Sequence, residues 1–506
     1  MKFKTLKQLA TPAILSIAVI LQSCGSNTCP MKTFLPNQVV EKYHEACQPS
    51  QKTVVYGNPA IYLDYSSGMK VAFADKNTAS FYELFINSLK ISQADFYEVD
   101  KFDINKIANA EKSELYKKIK DAKKFGGINA PLNKAVAQIV NQKQPAVFIT
   151  DGELWENGER DDPWAREEFE QWLKDGNTIE FFITDHIDQG KQKHLFYIFF
   201  VPKSLAEQKS GISSDFSFYL ENSIEAKQLK YSHFSFCADA TQISKDYNSQ
   251  SGGVNQNAGL NEDSYILGNN WEYIELYSPW TSLYKYIATA TGNDGQPIQG
   301  GAPLTSKLYA DFSAMEFYKV KNINIKVENI TQELSEFITI EEIKANPPVP
   351  ATNENGKPIV DDNNQIVLVC PGNPIGYDTQ GKLIKDTIFK PQTNANECKG
   401  IFTLDNDTFN QKIASTNKGE VCIKINKDLN TQLLSSQENN IFRITVCIGN
   451  TEVKSSDVNL RNFIWQGKQV SENRSMYNSI LGALNAARPE GKTIYTYYIN
   501  TLPYKN

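Results

Sequence analysis

Ala60-Ile61-Tyr62-Leu63-Asp64-Tyr65-Ser66-Ser67-Gly68-Met69 is an apolar run that turns abruptly polar. Its first four residues read as a short buried strand, and Asp64 onward reads as the loop that leaves it. The same grammar recurs at Pro145-Ala146-Val147-Phe148-Ile149-Thr150-Asp151-Gly152-Glu153, a second buried strand emptying into an acidic loop. Between them, Phe81, Leu84, Phe85 and Leu89 recur at helical spacing, and a strand is expected over Phe96 to Phe102. A Lys-rich helical stretch, Leu115 to Lys124, ends at Gly126-Gly127. The next helix has Pro131 near its first turn and Leu132, Ala135, Val136, Ile139 and Val140 on its apolar side. Farther on, Asp162 and Pro163 read as the N-cap and first helical position of a segment carrying Trp164, Phe169, Trp172 and Leu173, with Gly176 as its stop. Ile179 to Ile183 and His194 to Val201 give two more strands. Strands alternating with helices predict an α/β doubly wound sheet, parallel or mostly parallel, with helices on both faces.

In such a sheet ligands gather beyond the carboxyl ends of the strands, where loops and helix N-termini face a crevice. Asp64 and Ser66 leave the first strand and Asp151 leaves the later one, which is the oxygen chemistry wanted by a hard cation such as Mg²⁺ or Ca²⁺. The order Asp64-x-Ser66, then Gly126-Gly127-Ile128-Asn129 before a helix, then Ile149-Thr150-Asp151-Gly152-Glu153, resembles the von Willebrand factor type A domain over about residues 53 to 240. That resemblance implies a Rossmann-like fold with a metal-ion-dependent adhesion site, built from Asp-x-Ser-x-Ser, a middle-loop Thr and a later Asp. It also implies that other proteins bind through the metal. Asp64, Ser66 and Asp151 match this pattern, whereas Gly68 replaces the second serine and Ile128 the threonine. Asn129, one residue on, or added waters are the candidates to replace the missing oxygens in part.

At the N-terminus, Lys2, Lys4 and Lys7 precede the apolar run Leu9 to Leu21, which fits a signal-peptide core and is short for a membrane span. Leu21-Gln22-Ser23-Cys24-Gly25 resembles the lipobox of bacterial lipoproteins, which implies cleavage before Cys24 and its lipidation. The whole chain carries 52 basic and 58 acidic residues, a net charge of -6; loss of the three lysines leaves 49 against 58, or -9. An acidic chain has no affinity of its own for anionic lipid, so the lipid is the expected anchor. Gly25-Ser26-Asn27-Thr28 lacks the acidic cluster that resembles a surface-export signal in Bacteroidetes-type lipoproteins, which favours an outer-membrane anchor facing the periplasm. The same acidity argues against nucleic acid.

The 506 residues suffice for two to four domains at about 150 residues each. Residues 1–23 read as signal, 24–52 as a lipidated tether, 53–260 as the α/β domain and 261–345 as a connecting mixed region. A β-rich domain, read as an antiparallel sandwich with the immunoglobulin-like form as a candidate, follows over 346–506. Within that last part Val421 to Ile425 and Ile441 to Val446 read as strands, Met476, Ile480, Leu484 and Ala487 as one helix, and Thr493 to Ile499 as a final strand. In an exported protein Cys29 and Cys47 have the spacing to close one loop, and Cys370, Cys398, Cys422 and Cys447 allow three pairings. Cys237 is left over as a buried free thiol. No CxxC pair exists, and His44, His186, His194 and His233 show no zinc-ligand spacing. Glu153, Glu156, Glu159, Asp161 and Asp162 read as a solvated acidic rim bordered by Trp155 and Trp164.

No nucleophile and base pair, phosphate loop or HExxH motif is present. The leading expectation is therefore a lipid-anchored, non-enzymatic protein that binds a protein partner, with a glycan as a further candidate. Two other classes stand beside it: a metal-dependent hydrolase of phosphoesters or glycans, and a structural envelope component acting through its C-terminal region.

Overall fold

The structure is a computed structural model. It describes residues 36–48, 56, 58–90, 93–111, 113, 125–127, 129–154, 162–239, 241–245, 262–268, 270–276, 308–345, 349–353, 355–361, 366–369, 389, 391, 398, 400–404, 415–421, 423–425, 440–466 and 472–501. The signal segment, Cys24, Leu115 to Lys124, Ile128, Trp155, Glu156, Glu159 and Asp161 lie outside them, as do Cys29, Cys370 and Cys422. The described residues fall into two compact units, one within Met1–Gln51 and Ile330–Ala395, the other within Lys52–Asn329 and Asn396–Asn506. Named in chain order, α1 spans Pro36–Cys47, α2 Ser67–Ala72, α3 Lys76–Ser88, α4 Leu132–Gln142, α5 Arg166–Lys174, α6 Lys203–Gln208, α7 Ile212–Asn222, α8 Thr331–Ala345 and α9 Ser475–Ala486. Among the described residues no helix is long and apolar enough to cross a membrane.

The larger unit is built on a seven-stranded sheet of β1 (Ala60–Asp64), β2 (Gln93–Asp100), β3 (Asp103–Glu111), β4 (Ala146–Thr150), β5 (Thr178–Asp188), β6 (Lys191–Val201) and β7 (Ser232–Cys237). Their order is β3-β2-β1-β4-β6-β5-β7. Side chains alternate across a strand. Ile61 and Leu63 of β1 therefore join Phe81 and Phe85 of α3 and Phe216 of α7 on one face. Tyr62 points the other way, into a core shared with Val136 and Ile139 of α4 and Phe169 and Trp172 of α5. Trp172 pins the start of β5 through an Nε1–H bond to the Thr178 carbonyl at 2.9 Å.

The architecture is thus mixed α/β, with helices on both faces of the sheet, but the sheet is not mostly parallel as expected. Only the β1–β2 and β1–β4 pairs are parallel; β2–β3, β4–β6, β5–β6 and β5–β7 are antiparallel. The cause is local. Gln189 and Gly190 both have positive φ, 52° and 79°. That is the backbone of a two-residue hairpin, and it folds β6 straight back onto β5. Likewise, the strand expected to reach Phe102 ends at Asp100, and Lys101-Phe102 turns the chain into β3. The Asp162-Pro163 helix start also shifts. The Trp164 N–H bonds to the Asp162 carbonyl and the Arg166 N–H to the Pro163 carbonyl, so those residues form a turn and α5 begins at Arg166. Cys237 carries a free thiol that is half-buried rather than buried, and its sulfur accepts the Asp239 N–H at 3.3 Å.

A five-stranded sheet belongs to the same unit, in the order Ile323–Asn329, Asn440–Ile448, Thr493–Thr501, Trp271–Leu276, Glu262–Gly268. Trp271–Leu276 runs parallel to Thr493–Thr501, so the region is not purely antiparallel. Its strands come from both sides of residue 345, and the pairing does not break where a change of texture along the chain placed a boundary. The C-terminal segment also enters the first core. Phe463 meets Phe181, Phe234 and Phe236 with ring centroids 5.1, 5.2 and 5.6 Å apart. The Ser479 hydroxyl of α9 accepts the Ala165 N–H at 3.2 Å, and a Cβ on Gly482 would lie 2.8 Å from Arg166 Cδ. An alanine there would push the Arg166 side chain aside.

In the smaller unit, α1 occupies part of the stretch read as a tether. Val39, Val40, Tyr43 and His44 make one buried face, and Tyr43 donates its hydroxyl to Glu333 of α8 at 2.8 Å and packs edge-on to Phe337. Nothing in the sequence reading anticipated α8. Its apolar residues are spread around the helix instead of forming a stripe.

Phe463→Ala removes a ring packed against Phe181, Phe196, Phe234 and Phe236 and is expected to lower the stability of the larger unit by about 3–5 kcal/mol. Urea unfolding followed by tryptophan fluorescence checks this; an unchanged midpoint would separate the C-terminal segment from that core.

Candidate functional site

Chain order places β2 on one side of β1 and β4 on the other, so the gap between β1 and β4 is the point where the winding reverses. Asp64 closes β1 and Asp151 follows β4, so the two carboxylates flank this gap at the carboxyl end of the parallel stretch of this sheet. The Asp64 side chain has no exposed surface. Its Oδ1 accepts the Ser66 N–H at 2.7 Å, and its Oδ2 accepts the Thr150 hydroxyl at 2.8 Å. Thr150 Oγ1 in turn accepts the Gly152 N–H at 3.0 Å, and Asp151 Oδ1 accepts the Glu153 N–H, also at 3.0 Å. The Gly126-Gly127 loop is stitched to the first loop by backbone bonds: Gly126 and Gly127 donate to the Tyr65 carbonyl, and Ser67 donates to the Gly127 carbonyl. Three loops, predicted from separate sequence stretches, therefore meet at one rim.

Burial dominates the electrostatics, and the Lys193 ammonium offsets it only in part at Asp151. Loss of water raises the Asp64 carboxyl to about 6, against the opposing pull of the Ser66 and Thr150 hydrogen bonds, and Asp100 adds repulsion. Asp151 is pushed well above the usual carboxylate range, first by burial and then by the charges of Asp64 and Glu153. The Ser66 hydroxyl is buried and has no well-formed hydrogen bond. A buried hydroxyl left in that state costs about 1–3 kcal/mol.

Gly68 has a reason in this geometry. A Cβ at that position would overlap Asp151 Oδ2, so the carboxylate occupies the space a serine side chain would need. Gly127 is similarly closed, by Asp100 Oδ1. Asp100 ends β2 beside β1 and is a third acidic group at this rim, unrecognised in sequence. The signal was present, because β1 and β2 both end in Asp. Asn129 is half-buried beyond Gly127; the hydrogen bonds of Asp64 and Asp151 go to Ser66, Thr150 and Glu153, not to it. Among the described residues no three His, Cys, Asp or Glu side chains converge as a metal cluster.

The acidic rim is partly internal. Glu153 forms an ion pair with Lys193 of β6, whose side chain is itself buried, and accepts the Trp465 indole N–H at 3.1 Å. A residue 312 positions away thus holds the loop that carries Asp151. No local pattern announces Lys193 or Trp465. Trp164 is buried, as expected, but in the turn before α5 and not on the helix, and Asp162 is exposed.

No protein-family model, curated protein or solved structure matches the chain.

Two outcomes follow from this packing. Gly68→Ala is expected to destabilise by about 1–3 kcal/mol by displacing Asp151, and the loss should shrink in an Asp151→Ala background; equal losses in both would mean the two sites are uncoupled. In addition, the folded protein holds the Asp64 proton to about pH 6, whereas an unfolded carboxyl releases it near 3.8. The folded state then binds more protons than the unfolded one between those values, so this group's stabilising share is complete below about pH 4 and lost by about pH 6. Asp151 shifts in the same direction. Urea unfolding in chelator should show wild type losing stability relative to Asp64→Asn across that window; parallel profiles would contradict it.

Proposed function

We propose that the chain is a lipid-anchored binding protein of the cell envelope, lipidated at Cys24 and held on the periplasmic side of the outer membrane. In this reading its larger unit contains a von Willebrand A-like domain that captures a protein partner on the rim formed by Asp64, Ser66, Gly127 and Asp151. The observation that carries the reading is the juxtaposition of Asp64 and Asp151 across the β1–β4 switch point, with the glycine loop bonded to the loop that follows Asp64. The antiparallel insertion of β6 beside β4 sets this chain apart from a simple doubly wound sheet.

The residues fit a hard cation such as Mg²⁺ or Ca²⁺. Asp64 and Asp151 are buried carboxylates that repel each other, and Ser66 offers a buried hydroxyl beside Asp64. Oxygen donors of this kind, completed by water, are what such ions take. A bound cation supplies the positive charge to which a partner carboxylate coordinates. The protein's own contributions are distinct. Thr150 and the Ser66 N–H orient Asp64, the Glu153 N–H orients Asp151, and the Lys193–Glu153–Trp465 contacts hold the second loop against the sheet. Without the ion, the rim carries protons in its place, so cation uptake should release them.

Calorimetry of the chain with Mg²⁺, Mn²⁺ and Ca²⁺ at pH 6–7 in two buffers of different ionisation enthalpy is the direct check. We expect saturable binding with proton release, abolished together with partner capture by Asp64→Ala/Asp151→Ala. Partner capture unchanged in the double variant would remove this face as the binding surface.

A further inference from the structure

His194 of β6 is 6% exposed, and each of its ring nitrogens faces an acceptor. Nδ1 lies 2.7 Å from Asp185 Oδ1 on β5, and Nε2 lies 3.3 Å from the Ile464 carbonyl, 270 positions away in the C-terminal segment. A carboxylate and a carbonyl have no proton to give, so both bonds form only when the ring carries two N–H groups and a positive charge. A neutral imidazole makes one of them. The carboxylate is the stronger acceptor and keeps the remaining proton at Nδ1, which leaves the Nε2 lone pair against the Ile464 oxygen.

The second bond reaches beyond its own atoms, because Ile464 lies between Phe463 and Trp465. The Trp465 ring packs on His194 and Phe196, with centroids 6.2 and 5.6 Å away, and its indole N–H holds Glu153, next but one to Asp151. Among the described residues the charges around the ring are few. Asp185 is the anion beside it, and its other oxygen takes the Gln192 amide at 2.9 Å. His186 on β5 would oppose a charge on His194, but burial holds His186 below the usual histidine range and so keeps it neutral. The Lys193 ammonium, next in sequence, goes to Glu153, and toward the hairpin tip Asp188 and Lys191 lie opposite each other, one of each sign. Phe463, Ile464, Trp465 and Gln466 bring no charged side chain.

We propose that His194 is a proton-operated latch on the C-terminal segment. Charged, it ties the Ile464 carbonyl to β6 and seats Trp465 on Glu153; neutral, it gives up that carbonyl and loosens the loop that carries Asp151. A consequence for the rim rests on the binding role proposed for it. Protons on Asp64 and Asp151 oppose a cation at low pH, and an open latch unseats the Asp151 loop at high pH, so affinity peaks between the two.

The test labels the full chain with fluorotryptophan and follows it by fluorine NMR from pH 5 to 9, which brackets the ordinary charge change of histidine. Loss of one resonance in Trp465→Phe assigns the reporter, and long-range proton–nitrogen spectra read the protonation of the His194 ring. The expected result is two protonated nitrogens at the acid end, loss of the Nε2 proton as the pH rises, and a shift of the Trp465 resonance with the same midpoint. Asp185→Asn, at a side chain 56% exposed, carries little risk to the fold and should move both midpoints down by about one pH unit, since it removes the neighbouring negative charge. His194→Phe should flatten the Trp465 profile, whereas Asp64→Asn/Asp151→Asn should leave it in place, which separates the latch from titration of the rim. The proposal is overturned if the His194 ring carries a single proton throughout, if the Trp465 resonance does not move with it, or if the midpoint is unchanged in Asp185→Asn. None of these readouts needs a cation or a partner, so their failure is distinct from failure of the binding reading.

Discussion

Asp64 is a fully buried carboxylate whose two oxygens are held by the Ser66 N–H and the Thr150 hydroxyl, and much of the larger unit is arranged around that position. A carboxyl group taken out of water either finds compensating charge or keeps its proton. Here the charges that act on it, Asp151 and Asp100, have the same sign. The parallel pairing of β1 with β4 forces this proximity, because it brings both strand ends to one edge of the sheet. The group is therefore an electrostatic liability to the isolated fold and an asset to a fold that recruits a cation there.

The rest of the unit bears on this point from a distance. Gly68 lacks a side chain because Asp151 fills the space, and Gly127 lacks one because Asp100 does. Glu153, next but one to Asp151, is held by Lys193 from β6 and Trp465 from the C-terminal segment. Phe463, two residues before Trp465, anchors that segment among Phe181, Phe234 and Phe236. The chain after residue 396 thus contributes to the core and to one loop of the rim alike, and it is not an appendage to an α/β domain complete in itself.

This distribution explains what could be read from the sequence. β1, α3, α4 and β4 were legible because each is a short, strongly patterned segment whose neighbours in sequence are its neighbours in space. Asp64, Ser66 and Asp151 followed, since a strand that ends in Asp declares its loop. The antiparallel β5–β6 pair was not recovered, although Gln189-Gly190 marks a hairpin, because two buried strands separated by a polar stretch look alike whichever way they run. The Lys101-Phe102 turn carries no glycine and offered no such mark. α8, with apolar residues on every side, lacked a stripe to find. Contacts such as Trp465 with Glu153 join residues 312 apart, and no spacing rule reaches that far.

The claim on which the account turns is that the gap between Asp64 and Asp151 is a cation site. Crystals soaked in Mn²⁺ and measured at its absorption edge put the question to the atoms themselves. The account predicts an anomalous peak bounded by Asp64, Ser66 and Asp151, lost in Asp64→Asn; no peak in that gap in a crystal that binds Mn²⁺ elsewhere would contradict it.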